Sequence, residues 1–421
     1  MYKLKQLSSG LRVLTVPSKN TAVFTLLVLV GTGSKYETKR TNGISHFLEH
    51  MFFKGTTHRP TPGEVARTLD SLGAQHNAFT AQEVTGYWVK AAKEHFDIGL
   101  DVVSDILTEP LLSSEEIEKE RGVILQELRM RNDDPISRAG ILFEELLWGD
   151  QPAGWWIIGN ERTIKNLKRD DFLNYFNTQY VATNSLVVVG GAYPANALKK
   201  INTAFLKLRR GKPRGKRKTI DTQQKPALRF EQKDTEASNI VLGFRAFSMH
   251  DPRRFALRLL GIILGGNSSS RLTMKIREEL GLAYYIRAGA SLYADTGYFD
   301  ISAGVPHDAA QKVIEVIVDE LRKIKKHGII DEELKKAKDY IRGNTQIELE
   351  DSSSLASFFG EQALFEKKIF TPNELLKRIN CVSKSDISRV ANYLFTRDRT
   401  NLVIVGKRQN KSALAALLEK H

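Results

Sequence analysis

Cysteine is nearly absent. Cys381 is the one cysteine in the chain, which excludes an internal disulfide and points to a fold held by its core in a reducing compartment. Long apolar runs are missing as well. None approaches the ~18 residues that a membrane-crossing helix needs, so no membrane span is expected. The start, Met1-Tyr2-Lys3-Leu4-Lys5-Gln6, enters strand-like sequence with no hydrophobic signal region. A cytoplasmic location is expected, with a removed targeting segment left open. Acidic charge is in short supply: 63 Lys and Arg against 49 Asp and Glu give a net +14. That excess is largely local, because Lys207 to Lys218 alone holds eight basic residues. The run has two glycines, a proline, few apolar positions and no interleaved aromatic residues. It therefore reads as a solvated linker, and no nucleic-acid partner is expected.

A chain of 421 residues is too long for one ordinary core and suggests two domains. An internal echo supports the division. Leu186-Val187-Val188-Val189-Gly190, followed by Ala197-Leu198, returns as Leu402-Val403-Ile404-Val405-Gly406, followed by Ala413-Leu414. The helical stretch Asp171 to Tyr180 corresponds in the same way to Asp386 to Phe395. The expected organisation is residues 1–206, a basic linker at 207–225, and a related second domain at 226–421. Strand-like runs such as Val23 to Val30 and Tyr87 to Val89 alternate with long capped helices. This predicts an α+β fold, each half a mostly antiparallel sheet with helices packed on it.

Against this background one pentapeptide stands out, His46-Phe47-Leu48-Glu49-His50. Histidines at i and i+4 project from one helical face, with a carboxylate beside them. This H-x-x-E-H order supplies two zinc ligands and a general base from a single turn. Asn42 is placed to cap the helix, and Gly55 to stop it. Downstream, Ser113-Ser114-Glu115-Glu116 has the form of a capping box for a helix running through Met130. On it Ile117, Glu120, Ile124, Glu127 and Leu128 share one stripe, so two carboxylates interrupt an apolar face. Acids buried there call for a nearby cation. Glu127 is the expected third ligand, with Glu120 either a support beneath the ligands or an alternative ligand. For Glu120, ion pairing with Lys119 or Arg121 would instead leave it solvated.

The stretch from Gly43 to Thr56 resembles the pitrilysin-type zinc peptidases, and the likeness extends over essentially the whole chain. It is most similar to the short bacterial branch that resembles the catalytic subunit of the mitochondrial processing peptidase. The resemblance implies one Zn2+ per chain on His46, His50 and Glu127, with Glu49 activating water. It also implies that Arg277 and Tyr284, in Arg277-Glu278-Glu279-Leu280-Gly281-Leu282-Ala283-Tyr284, reach the substrate from the second half across a clam-like chamber. There Arg277 would end a helix closed by Gly281, and Tyr284 would sit on the next strand. In Gln75-His76-Asn77-Ala78-Phe79-Thr80, Asn77 and Ala78 are expected on an open strand edge to which peptide adds, with His76 at its rim. Peptide substrates are thus implied, and a homodimer or a heterodimer with a related subunit. The alternative is a non-catalytic subunit of such a pair. No H-x-x-E-H occurs in the second half, where the position matching Glu127 is Asn344.

Overall fold

The computed structural model describes residues Tyr2 to Glu419. Among the described residues eleven strands build two sheets. The first contains β1 (Lys3–Gln6), β2 (Arg12–Pro17), β3 (Val23–Val30), β4 (Gln75–Thr80), β5 (Thr85–Ala92) and β6 (Ser185–Gly191), in the order β1-β2-β6-β3-β5-β4. The second contains β7 (Ala227–Gln232), β8 (Ser238–Ala246), β9 (Tyr285–Leu292), β10 (Gly297–Val305) and β11 (Thr400–Gly406), in the order β7-β11-β8-β10-β9. Beyond β1, which has no counterpart among the described strands of the second sheet, the sheets share one topology. β2 runs parallel to β6 and β7 parallel to β11, and every other pairing is antiparallel. The fold is mixed α and β, and the halves are architectural repeats.

The central strands are apolar on both faces because both faces are covered. In the first sheet Phe24, Leu26 and Val28 of β3 enter a core with Phe47, Leu48 and Met51. The alternate residues Leu27 and Leu29 pack with Ala356, Phe359 and Ala363 of the helix Ser352–Phe365. Asp351 starts that helix by accepting from Ser353 N at 2.8 Å and Ser354 N at 3.1 Å, while also pairing with Lys90 of β5. In the second sheet Ile240 and Leu242 face one core, whereas Val241, Val403 and Val405 pack with Leu142, Phe143 and Leu147 of the helix Pro135–Trp148. Arg138 anchors this helix by a forked ion pair to Glu231 of β7, at 2.8 and 2.7 Å.

The compact units are accordingly discontinuous in sequence. One comprises 1–128, 155–217 and 345–371, the other 129–154, 218–344 and 372–421. The main chain passes between them inside the basic run, and each unit also takes one sheet-covering helix from the other half of the sequence. The basic run itself is strapped down up to that point. Ala182 N donates to Arg209 O at 2.8 Å, Gln179 Nε2 to Arg214 O at 3.1 Å, and Lys216 pairs with the buried Glu83. It is exposed along much of its length, as expected of a polar segment, but it is not a free tether. No described helix is long and apolar enough to cross a membrane, and Cys381 is a free, exposed thiol.

Candidate metal centre

The motif forms the helix Ile44–Met51. Ile44, Phe47, Leu48 and Met51 are buried, with Phe47 edge-on to Phe172 at 4.9 Å between ring centroids. His46, Glu49 and His50 occupy the other side, half-buried. The start of this helix differs from the sequence expectation. Gly43 is the N-terminal cap, in the left-handed region at φ 96°, and Asn42 does not cap with its side chain. The buried carboxylate of Glu37 does the capping, accepting from Gly43 N and Ser45 N at 2.8 Å each and from Asn42 Nδ2 at 2.9 Å. An acid at a helix N-terminus is favoured by the orphan N–H groups and by the dipole. Burial still pushes this carboxyl up to about 7, against the pull of its hydrogen bonds.

The second helix, Ser114–Asp133, is fixed by the buried Ile117, Ile124 and Leu128. Glu116 N donates to Ser113 Oγ at 3.3 Å, but the Glu116 carboxylate turns to Lys119 at 2.8 Å, so the reciprocal half of a capping box is replaced by an ion pair. This helix brings Glu127 Oε2 to 3.7 Å from His46 Nε2 and 3.8 Å from His50 Nε2. The ligand atoms of these three residues lie within 4.8 Å of one another. Bonds of ~2.1 Å at a tetrahedral angle call for ligand separations of roughly 3.4 Å. The three side chains fit zinc after small adjustments, and two imidazoles with one carboxylate are the donor set of catalytic zinc sites.

Glu120 lies beneath this group, buried. Its Oε1 is 2.8 Å from His50 Nδ1, and its Oε2 is 2.6 Å from Lys54 Nζ. Burial alone would raise its pKa, but the bonds from His50 and Lys54 outweigh that and hold it below the usual carboxylate range. An ionised carboxylate only accepts, so His50 Nδ1 is the donor, and in the neutral ring this leaves the Nε2 lone pair facing Glu127. This carboxylate-histidine arrangement orients a metal ligand and raises its basicity. Glu49 is raised by burial, partly countered by a hydrogen bond from Thr80 Oγ1 and the proximity of His50. A carboxylate raised in this way is a better proton acceptor.

β4 is an edge strand paired with β5. Asn77 is exposed and Ala78 half-buried on it, while Thr80 at its end holds Glu49. His76 is not in the converging group. It lies 3.5 Å from Asp70 and stacks over Phe53. Arg277 and Tyr284 belong to the other unit. Arg277 lies in a π-helical stretch, Thr273–Glu279, exposed and 3.7 Å from Glu278, with Gly281 at φ 63° closing the turn. Tyr284 immediately precedes β9. Its side chain is 66% exposed, and its main-chain N donates to Gly304 O at 2.9 Å. Sequence reasoning missed Glu37, Lys54 and Thr80. Of these only Lys54 carried a sequence signal, one turn beyond His50 on the same side.

Comparison with known proteins gives concordant matches. The family model described as Insulinase (Peptidase family M16) matches residues 12–147, and that described as Peptidase M16 inactive domain matches 166–341. An uncharacterized zinc protease of Bacillus subtilis, YmxG, is 32% identical over 402 residues, covering 94% of this chain and 97% of its own. An uncharacterized zinc protease of Streptomyces coelicolor is 33% identical, covering 97% of this chain and 90% of its own. Among solved structures, a protease from Helicobacter pylori superposes with a TM-score of 0.91 at 26% identity, covering 96% of this chain and 99% of its own.

Proposed function

We propose that this chain, which belongs to the insulinase family of peptidases, family M16, is a zinc-dependent endopeptidase acting on short or unfolded peptides. The observation that carries the proposal is the convergence of His46, His50 and Glu127 within 4.8 Å, with Glu49 on the same helix as the two imidazoles. His46, His50 and Glu127 would hold the zinc. When bound, zinc supplies Lewis-acid polarisation of the scissile carbonyl and of the attacking water. Glu49 takes the proton from that water and returns it to the leaving amine. Thr80 fixes the Glu49 carboxylate, and Glu120 with Lys54 fixes the ring of His50. The open edge of β4 at Asn77 and Ala78 lets a peptide main chain add as a strand, which gives affinity with little dependence on side chains.

The further part of the proposal assigns Arg277 and Tyr284 to hydrogen bonds with the substrate backbone or the developing oxyanion, inside a chamber contributed to by both halves. The second half then serves binding, in keeping with its match to a domain described as inactive. A non-catalytic subunit would have no need to retain His46, Glu49, His50 and Glu127 together. The test is His46→Ala in the full chain, measured for zinc by elemental analysis and for cleavage of a mixed peptide library. Loss of both is expected. Cleavage at the wild-type rate by a zinc-free His46→Ala protein would overturn the proposal.

A further inference from the structure

A second cluster of metal-ligating side chains lies in the same unit, outside the motif. The turn Thr56 to Pro60 follows the motif helix and is knotted on itself, with Thr56 N donating to Arg59 O and Arg59 N to Thr56 Oγ1, each at 2.9 Å. It packs on the helix Phe96–Thr108, which carries Asp105 in its last turn and ends on Glu109 as its C-terminal cap. Asp105 is only 3% exposed. Its Oδ2 accepts from Thr56 Oγ1 at 2.5 Å and Arg59 Nη1 at 2.7 Å. Its Oδ1, equally buried, receives no hydrogen bond. Instead it faces His58 Nδ1 at 3.1 Å. Ligand atoms of His58, Asp105 and Glu109 all lie within 4.8 Å of one another. All three line a cavity of about 560 Å³.

We infer that His58, Asp105 and Glu109 form a second divalent-cation site, of the class that takes zinc. A buried carboxylate oxygen with no hydrogen bond bears a desolvation penalty that a cation removes. One imidazole with two carboxylates is a donor set that suits zinc and its borderline neighbours more than magnesium or calcium. The local charge permits it. Arg59 is shared between Asp101, at 2.5 Å, and Asp105. Glu109 is held at 2.5 Å by Lys207, which is 59% exposed and can swing into solvent when a cation takes its place. Displacing Lys207 costs affinity, and so does the 56% exposure of His58. The site therefore binds more weakly than the motif site. Its occupancy would staple the turn after the motif helix to the helix behind it.

This inference does not depend on peptidase activity. Zinc alone is titrated calorimetrically into the full chain carrying His46→Ala and His50→Ala, which removes two ligands of the first site. About one zinc per chain is expected to bind still, and adding either His58→Ala or Glu109→Gln should weaken it at least ~10-fold. Asp105 is left intact because it also holds Thr56 and Arg59. If the double variant does not fold, the otherwise unchanged chain is titrated. There a stoichiometry near two should fall to one on His58→Ala. Failure of the double variant to bind zinc, or binding that neither His58→Ala nor Glu109→Gln weakens, would overturn the site.

Discussion

The five strands that the two sheets have in common follow the same order with the same parallel pair, yet the helix beside the outer strand is used in opposite ways. In the first unit the motif helix turns His46, Glu49 and His50 toward half-open space near the edge strand β4. In the second unit the corresponding helix is Arg254–Gly265. Ser185 and Thr400, which open β6 and β11, lie 215 positions apart. By that offset the motif residues fall at Gly261, Leu264 and Gly265. At Gly265 an added Cβ would come within 2.6 Å of Ala288 N on β9, so the helix lies directly against the strand and leaves no room for a side chain. Leu264 is fully buried. In the second unit the positions that match the motif are filled by a packed contact between helix and strand. The first keeps imidazoles and acids where the second has a packed contact, and groups of that kind gathered in one place are what a ligand or a reaction calls for.

The sharpest way to break the comparison is to remove the chemistry while keeping the site. Glu49→Gln should lower peptide turnover by roughly 10²–10⁴-fold, the usual contribution of a positioned acid or base, with zinc content unchanged. Loss of zinc in this variant would make Glu49 a ligand instead. On the second unit's side, Tyr284→Phe should reduce kcat by at most about 10²–10³-fold, as when one oxyanion donor is deleted. An unaltered kcat would confine the chemistry to the first unit.

Glu120→Gln probes the support beneath the ligands. A neutral amide cannot orient His50 as well, so zinc affinity should fall ~10–100-fold, read by competition with a chromogenic chelator. An unchanged affinity would make the bond between His50 and Glu120 incidental.

The smallest effect concerns how each unit treats buried acids. In the first, Glu120 is balanced by His50 and Lys54 and Glu83 lies 2.9 Å from the buried Lys35, whereas burial pushes Glu37 up to about 7 despite its hydrogen bonds. In the second, Asp300 on β10 is pushed up to about 7 by burial and by the neighbouring Glu144. A carboxyl whose folded pKa is raised stabilises most below its unfolded value near 4, and that contribution is lost as pH rises through 7. Wild type should therefore lose stability relative to Asp300→Asn between pH 4 and pH 8, by of order 1–3 kcal/mol. Urea unfolding midpoints at the two pH values measure it, and a difference independent of pH would contradict the assignment.

What could be read from the chain follows the range of the interactions. The H-x-x-E-H spacing, the stripe holding Glu120 and Glu127, and the echo of β6 in β11 are local patterns whose geometry a helix or strand fixes at once. The exchange of the helices Pro135–Trp148 and Ser352–Phe365 was not legible. Periodicity shows that Phe359 or Leu142 needs a cover but not which sheet supplies it. Expected boundaries at 206 and 226 cut the chain once, whereas the compact units cross it repeatedly. Glu37 escaped notice for a similar reason. It caps the motif helix from a separate turn, outside the position where a capping side chain is normally sought. Thr80 stood within a strand already singled out, but the register that aims its hydroxyl at Glu49 is tertiary.

The central claim is that peptide cleavage here is chemistry performed at a metal held by His46, His50 and Glu127. The direct measurement strips the full chain of metal with a chelator, verifies the loss by elemental analysis, and follows cleavage of a mixed peptide library before and after about one equivalent of zinc is returned. The account predicts cleavage abolished by stripping and restored by the added zinc in wild type, with no restoration in His50→Ala. Cleavage that persists in the verified metal-free protein would contradict it.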